Sequence, residues 1–572
     1  MLELGESESN EAPDRTFLKE GAKSDGTVLN KTEVPKDGHL TRSLTQNFRT
    51  KKSLNQYKGY TKLCLCGLSL MCVAYIVHFV DPIQLAKDIM LNMKEGSYIY
   101  SMWKTPPIKL YIKIFMFNIT NADRFIKGLD AKLKVEEIGP YTYSETVINK
   151  DITWNENHTL SYTPERSVRF EPEHSIGNPE KDMVNVINIP LLGIASMLHN
   201  SSAAMNVALS TLIAYLDAQP ILHLTVDDFL WGYDDPLVHL ASNMLPNWIN
   251  FRSFGLLDRL MDEGQNRVTM FINKTEDQDQ YSIDKFNGSP GLKLWGYDST
   301  TNKSNTCNKV TGTVEAVLFP RNINTNHTFK VYRRAFCRPL PFLFDKQITM
   351  KGGYPAFLFK FPEDILDPNN PDNKCYCNKN EGCLPKGLSD LSPCYYNIPV
   401  AISLPHFIKG NRSLVDAIDG IAPNSTKHDS IFAIQPEVGV PLFVKTRIQT
   451  NLVVKKTKQN RVKPFNNLVI PVFWMEVELL GLPNSMIFLL DLLLVIGPIL
   501  QTGCIILMFA LGLLLVFIAN LRYAWNSGFI DSRTATLISY KRKQRQQEKI
   551  VGRNTHYAQL MPATPLNPLR IR

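Results

Sequence analysis

Two long apolar runs, separated by 405 residues, constrain this 572-residue chain more than any other feature. The first, Leu63 to Val80 (LCLCGLSLMCVAYIVHFV), has 18 residues and no Asp, Glu, Lys or Arg. As a helix rising about 1.5 Å per residue it covers about 27 Å, close to the thickness of a bilayer core. It lies too far from Met1 for a cleaved signal peptide and reads as an uncleaved signal-anchor. The second, Met486 to Ala519, has 34 residues interrupted only by Asp491. A carboxylate at mid-bilayer is costly, so the spanning part is read as Leu492 to Ala519, with Asp491 at the outer edge.

The flanking charge sets the expected orientation. The formal net charge of +9 sits in the two ends. Residues 1–62 hold 11 basic and 9 acidic side chains, and residues 521–572 hold 10 and 2. The middle, with 42 basic and 43 acidic, is neutral, which argues against a nucleic-acid-binding core. Arg49, Lys51, Lys52, Lys58 and Lys62 precede the first run; Arg522, Arg533, Lys541, Arg542, Lys543 and Arg545 follow the second. The positive-inside rule then puts both termini in the cytosol and residues 81–485 outside. Nine Asn-x-Ser/Thr sequons fall in that segment, at Asn118, Asn157, Asn200, Asn273, Asn287, Asn302, Asn326, Asn411 and Asn424. So do six of the ten cysteines, an even number that suits an oxidising compartment. Leu191 to Leu216 is also free of formal charge. It is broken at His199-Asn200-Ser201-Ser202, and a third span would carry the basic tail outside. It is read as two apolar helices of the external domain.

The expected organisation is a cytosolic tail (1–62), a membrane helix (63–80), one external domain (81–485), a second membrane helix with its lead-in (486–519) and a cytosolic tail (520–572). Strand-like alternation dominates the external domain, at Lys134 to Ile148, Thr328 to Phe344, Ala356 to Phe361 and Thr446 to Lys455. Helical patterns concentrate at 182–218 and 240–262. The fold class is therefore α+β, with a mixed or antiparallel sheet. Cys307, Cys337, Cys375, Cys377, Cys383 and Cys394 allow 15 pairings, which spacing does not choose among. Zinc is the rival use of clustered cysteines, but the external side favours disulfides.

Several passages resemble, in order, the class B scavenger receptor family (the fatty-acid translocase, lysosomal integral membrane protein and sensory neuron membrane protein type). They are Trp103-Lys104-Thr105-Pro106-Pro107, Phe115-Met116-Phe117-Asn118-Ile119-Thr120-Asn121, Glu137-Ile138-Gly139-Pro140-Tyr141, Leu230-Trp231-Gly232-Tyr233 with Asp235-Pro236, Cys375-Tyr376-Cys377, Ile402-Ser403-Leu404-Pro405-His406-Phe407, and Ile418-Asp419-Gly420 with Pro423-Asn424. The resemblance covers about residues 60–520. It implies an antiparallel β-barrel core, an apical helix cluster and an internal hydrophobic tunnel. It also implies the pairs Cys307–Cys375, Cys337–Cys394 and Cys377–Cys383. The implied function is binding of lipids (fatty acid, sterol or carotenoid) or lipoprotein-like particles, with passage of lipid to the membrane and no cofactor. The apex corresponds to about 182–225, where Leu191, Ile194, Met197, Leu198, Met205, Leu209 and Leu212 are candidate ligand contacts. No Lys or Arg occurs between Lys181 and Arg252, which favours a neutral lipid over an anionic one.

Asp227, Asp228, Asp234 and Asp235 could ligate a hard cation, but helix capping accounts for them more simply. Cys64 and Cys66 at the cytosolic edge of the first span are palmitoylation candidates. Tyr557 and Leu560 in Tyr557-Ala558-Gln559-Leu560 fit a tyrosine-based endocytic signal read by an adaptor, which points to the plasma membrane with endosomal traffic. Neither a Gly-x-Ser-x-Gly elbow nor His-Glu-x-x-His occurs, so no enzyme is expected. The competing readings are a phagocytic or adhesive receptor and a two-span ligand-gated channel, whose pore would have to use Gln501 and Thr502. Homo-oligomerisation stays open.

Overall fold

The computed structural model describes residues 40–261, 266–276, 279–301, 303–350, 352–379, 381–479, 481–527 and 539–547. Tyr557 and Leu560 lie outside these residues, as does Asn302. The chain divides into two compact units. One comprises the described parts of Met1–Ala74 and Leu507–Arg572; the other is Tyr75–Ile506.

Two helices, Tyr57–Met90 and Asn484–Trp525, are long and apolar enough to cross a membrane, and their parts within the first unit pack against each other. Gly67 and Gly512 set the approach. A Cβ on Gly67 would lie 2.7 Å from the Gly512 carbonyl oxygen and 2.8 Å from a Val516 methyl. Small residues let membrane helices come this close, and dispersion contacts then hold them. Tyr57 and Tyr523 meet edge to face at 6.0 Å. Cys64 is half-buried, and Cys66 is exposed.

The second unit is built on a 13-stranded antiparallel sheet. Its path runs Thr328–Arg333, Arg338–Thr349, Pro355–Lys360, Ile431–Gln435, Val440–Val453, Val469–Leu479, Leu110–Ile119, Val135–Trp154, Thr159–Phe170, Val268–Phe271, Ile283–Phe286, with Ser389–Asp390 and Val400–Ser403 on a branch. All four strand-like stretches read from the sequence lie on this path. A closed barrel is not shown: the path has two ends, and Ile283–Phe286 and Thr328–Arg333 do not pair with each other. Instead the segment between them bonds to each, Thr313 O accepting from Ile283 N at 2.7 Å and Val314 N donating to Lys330 O at 2.9 Å.

The three central strands separate two chemistries by the two-residue period of a strand. Leu110, Ile112, Val444, Thr446, Met475, Val477 and Leu479 turn to one face, where they line a cavity. On the opposite face Lys113 stands across from Glu476, Arg447 across from Glu476, and Lys445 across from Glu478. Arg447 Nε lies 2.6 Å from Glu476 and Lys445 Nζ 2.7 Å from Glu478; Lys113 also bonds Glu478. Both glutamates are buried.

The charge-free stretch forms two helices, Ile189–Met197 and Ala203–Tyr215, with Ser202 capping the second by accepting from Met205 N at 3.3 Å. Leu191, Leu192, Leu209 and Ile213 are buried in the domain core. The strand Met183–Ile187 precedes them, where the sequence pattern was helical. Asp235 caps the helix Pro236–Met244 through Leu237 N and Val238 N. Asp227 and Asp228 lie in the first turn of Val226–Trp231, which Thr225 caps.

Disulfides join Cys307 to Cys375, Cys337 to Cys394 and Cys377 to Cys383. At the second membrane helix, Asn484–Leu490, a π-helical segment Asp491–Ile496 and Gly497–Asn526 follow one another without a break. Asp491 accepts a hydrogen bond from the Tyr354 hydroxyl, so its carboxylate is held by the residue just before the strand Pro355–Lys360.

The glycine contact makes a direct prediction. Gly67→Leu overpacks the helix pair and destabilises the detergent-solubilised protein by about 1–3 kcal/mol. Gly503→Leu, where a Cβ meets nothing within 4 Å, leaves stability unchanged. Thermal unfolding of the two variants side by side checks this.

Candidate functional site

Eight strands and the segments near Ala335 line an apolar cavity of about 150 Å³. Leu110 and Ile112 come from one strand; Met475, Val477 and Leu479 from its neighbour; Val147 and Pro164 from the strands beyond. Phe342, Phe432 and Val331 reach it from the other half of the path. The sheet therefore wraps its apolar face around an unfilled space. Glu145, Asn149, Arg166, Glu315, Arg333 and Thr446 break the apolar lining. Arg166 and Glu145 form an ion pair at 2.8 Å, both nearly buried, and Glu315 accepts from the Tyr162 hydroxyl. Burial, then Glu315, pushes the Tyr162 hydroxyl far above its ordinary pKa, so it stays a donor. Arg166 and Met261 also line an adjoining cleft of about 580 Å³ with Tyr143, Phe170, Trp231 and Arg259. These two side chains stand between the two spaces.

A third cavity, about 440 Å³, lies beside Cys377 and Cys383 and is lined by Met197, His199, Lys455 and Lys456 among others. It adjoins the apical helices. Of the sequence candidates, Leu191 and Leu209 fill the core, Ile194, Leu198 and Leu212 pack against it, Met197 faces this cavity, and Met205 is exposed. Val207 and Tyr215, which the sequence reading missed, are exposed on the same helix as Met205.

The apex is also not charge-poor. Residues 455–463 (KKTKQNRVK) pack on the second apical helix. Gln459 accepts from Ser210 at 2.6 Å and donates to Asn206 O at 3.1 Å, and Arg461 donates to Ala218 O at 2.9 Å. Arg461 is paired with Asp217 and Lys455 with Glu381, while Lys456, Lys458 and Lys463 are exposed. The stretch between Lys181 and Arg252 holds no Lys or Arg of its own, and residues 455–463 bring cations beside it.

Three of the passages that carry the family resemblance, those of Phe115, Glu137 and His406, meet around one carboxylate. Glu137 lies beside a register shift in the strand Val135–Trp154. Gly139 makes the shift feasible: its φ is +137°, and a Cβ there would lie 2.6 Å from Ile114 O. Glu137 accepts from His406 Nε2 at 2.5 Å, Lys427 Nζ at 2.7 Å and Trp474 Nε1 at 2.8 Å. Phe115 stacks on Trp474 at 3.9 Å, and His428 stacks on His406 at 4.4 Å. Glu137, His406 and His428 place ligand-type atoms within 4.8 Å of one another. The hydrogen bonds nonetheless disfavour a metal. Backbone N–H groups of Ala422 and Asn424 donate to Nδ1 of His406 and His428 at 3.0 and 3.1 Å. Each Nε2 therefore carries the hydrogen and has no lone pair for a cation.

Burial alone would raise the Glu137 carboxyl, but the bonds from His406, Lys427 and Trp474 outweigh it and bring it down to about 2. Burial, then His406, lowers His428 to about 4.

The CD36 family model matches residues 63–523. This chain belongs to the CD36 family. Among CD36-family relatives, scavenger receptor class B member 1 of Bos taurus is 28% identical over 425 residues, covering 73% of this chain and 79% of the relative. Lysosome membrane protein 2 of Homo sapiens is 29% identical over 418 residues, covering 72% and 83%. The family identification makes this a membrane protein of the class B scavenger receptor type. Among its sequons, Asn157, Asn200, Asn273, Asn287, Asn326, Asn411 and Asn424 are exposed. Asn411 and Asn424 cap short helices through Oδ1, which leaves Nδ2 free of the cap bond. Asn118 is half-buried, its Oδ1 accepting from Asn185 N at 2.9 Å.

The histidine stack predicts how stability responds to acid. His428, faced by His406, Glu137, Lys427 and Arg447, has a folded pKa below the ordinary 6.5. Between pH 6.5 and 4 the unfolded chain takes up a proton that the fold refuses, so acidification removes stability across that window. The Glu137 contribution is full above about pH 4.5 and is lost only below it. Thermal midpoints at pH 7 and pH 5 should therefore fall less in His428→Gln than in the parent; equal falls would rule this out.

Proposed function

We propose that this protein is a cell-surface receptor that takes lipid from lipid-bearing particles and passes it through the apolar cavity toward the membrane. The supporting observation is the cavity itself, lined with apolar side chains from both halves of the sheet. Apolar surface exposed to water costs about 25 cal/mol per Å², so a covered route lowers the barrier to transfer without an energy source. The orientation proposed is that of the flanking charges, with both termini cytosolic and the exposed sequons glycosylated.

The particle-docking surface proposed is the outer side of the helix Ala203–Tyr215. Met205, Val207 and Tyr215 offer apolar contact there, and Lys456, Lys458 and Lys463 offer positive charge. That combination suits an anionic lipid surface, with attraction that weakens as salt screens it. The channel reading loses its polar pore residue, because Gln501 donates to Asp81 and accepts from Ile83 N, each at 3.1 Å. Palmitoylation at Cys64 and Cys66 and an endocytic signal at Tyr557 and Leu560 remain proposals for the cytosolic side.

Two variants separate docking from passage. Val477→Trp puts an indole into the cavity, at a cost of about 1–3 kcal/mol in fold stability, and should block the route, so that lipid uptake is largely lost. Particle binding should persist. Lys456→Glu with Lys458→Glu should weaken particle binding several-fold and abolish its salt dependence, while uptake of detergent-delivered lipid persists. Uptake of a fluorescent lipid by cells expressing each variant at equal surface level is the measurement. Normal uptake by Val477→Trp would refute passage through this cavity.

A further inference from the structure

The helix Pro82–Met90 presents a side to its surroundings that water alone would not select. It starts at Asp81, whose φ of 45° breaks it from the helix of the first membrane span. Asp81 accepts from Gln84 N and from Gln501 Nε2, each at 3.1 Å. The junction is thus tied to the second membrane helix. Lys87, the one basic residue of this helix, is turned inward. Its side chain is 9% exposed, and its Nζ lies 2.7 Å from Glu437. At 100° per residue, the outward arc holds Gln84 and Asp88 on one edge and Leu85 and Ile89 on the other. Leu85 is 49% and Ile89 64% exposed. Asp88 lies 2.7 Å from Arg321, so the polar edge is fastened to the external domain.

The second membrane helix repeats the pattern. Leu490 and Leu493 are buried, while Phe488 is 65% exposed and Leu492 and Ile496 follow it at four-residue intervals, also exposed. Both apolar edges continue surfaces that belong to the membrane spans. Phe79 and Val80 are exposed immediately before the break.

We propose that this collar, Pro82–Met90 with the first turns of the second membrane helix, is seated in the outer leaflet of the bilayer. Phospholipid acyl chains cover Leu85, Ile89 and Phe488. The headgroup layer meets Gln84 and Asp88. The pairs Lys87–Glu437 and Asp88–Arg321 clamp the external domain onto this seat and fix its height above the membrane. An interfacial helix is expected to have just such an apolar edge beside a polar one. The word "outer" rests on the orientation proposed above; contact with acyl chains does not.

The test uses purified full-length protein in phosphatidylcholine nanodiscs, its four free cysteines replaced by alanine. Leu85→Cys, Ile89→Cys and Phe488→Cys are each labelled with bimane. Leu507→Cys, in the second span, and Lys285→Cys, exposed on the strand Ile283–Phe286, serve as references. Lipids carrying a nitroxide on the acyl chain should quench the three collar sites several-fold, as they quench position 507, and should leave position 285 bright. Collar sites as bright as position 285 would overturn the proposal. If the same cysteines, left unlabelled in a parallel sample, then react freely with an impermeant maleimide, the collar faces water; if they do not, another protein copy covers it. Glycan mapping at Asn411 and Asn424 tests the orientation separately, so failure of one reading is not mistaken for failure of the other.

Discussion

The paired charges on Lys113, Lys445, Arg447, Glu476 and Glu478 hold the register on which the rest of the sheet domain depends. Each lies directly across a strand boundary from its partner. A one-residue slip of the strand Val469–Leu479 would turn Glu476 and Glu478 toward the cavity and carry Met475 and Val477 to the opposite face. Removing one member of a buried pair leaves the other unpaired, at a cost of about 3–5 kcal/mol. Burial raises the Glu478 carboxyl, and the bonds from Lys113 and Lys445 more than reverse that, so the glutamate stays ionised in the fold. The cavity is apolar on one side of these strands because the charge is fixed on the other.

The same logic explains how the site was only partly legible in the sequence. The two spans were readable because hydropathy is a local property, and the strands because alternation is. The helical break at Ser202 was readable for the same reason. The convergence of Glu137, His406, Lys427 and Trp474 was not, since it joins positions up to 337 residues apart. The order of the family-like passages hinted that they belong together but not that they share a carboxylate. The apical cations were missed because charge was counted along the chain. Lys456 and Lys458 reach the apex only through the bonds of Gln459 to Ser210 and Asn206. Leu191 and Leu209 were candidates by apolarity alone, and apolarity does not distinguish a core position from a contact surface. Met205 and Tyr215 differ from them in exposure, a property of the packed helix.

The disulfides occupy the part of the domain that the ladder serves least. All three fall between Cys307 and Cys394, and all six cysteines sit in the 3₁₀ turns and loops that link the strands of that segment. Arg338 is buried among them, donating to Ser389 Oγ at 2.9 Å and Asn373 Oδ1 at 2.5 Å and lying 3.7 Å over the Tyr376 ring. Covalent and polar ties thus fix a wall that backbone pairing leaves thin. That wall bounds the cavity beside the apex, so its rigidity bears on the proposed ligand surface as well as on stability.

The size of the central cavity constrains the proposed passage. At about 150 Å³ it is smaller than the roughly 300–1,000 Å³ of a typical ligand pocket. A long-chain lipid does not fit inside it whole and would have to thread, with its ends in adjoining spaces. The side chains between cavity and cleft are then the gate. Met261 suits that position, because an unbranched thioether changes rotamer at low cost. Arg166 suits it less obviously, but Glu145 pins its guanidinium at 2.8 Å and neutralises it. A neutralised pair offers a passing lipid polar atoms without a net field, so an acyl chain is not trapped by an uncompensated charge. A lipid carboxylate would compete with Glu145 for the same guanidinium and would be held longer there than an alcohol of equal length.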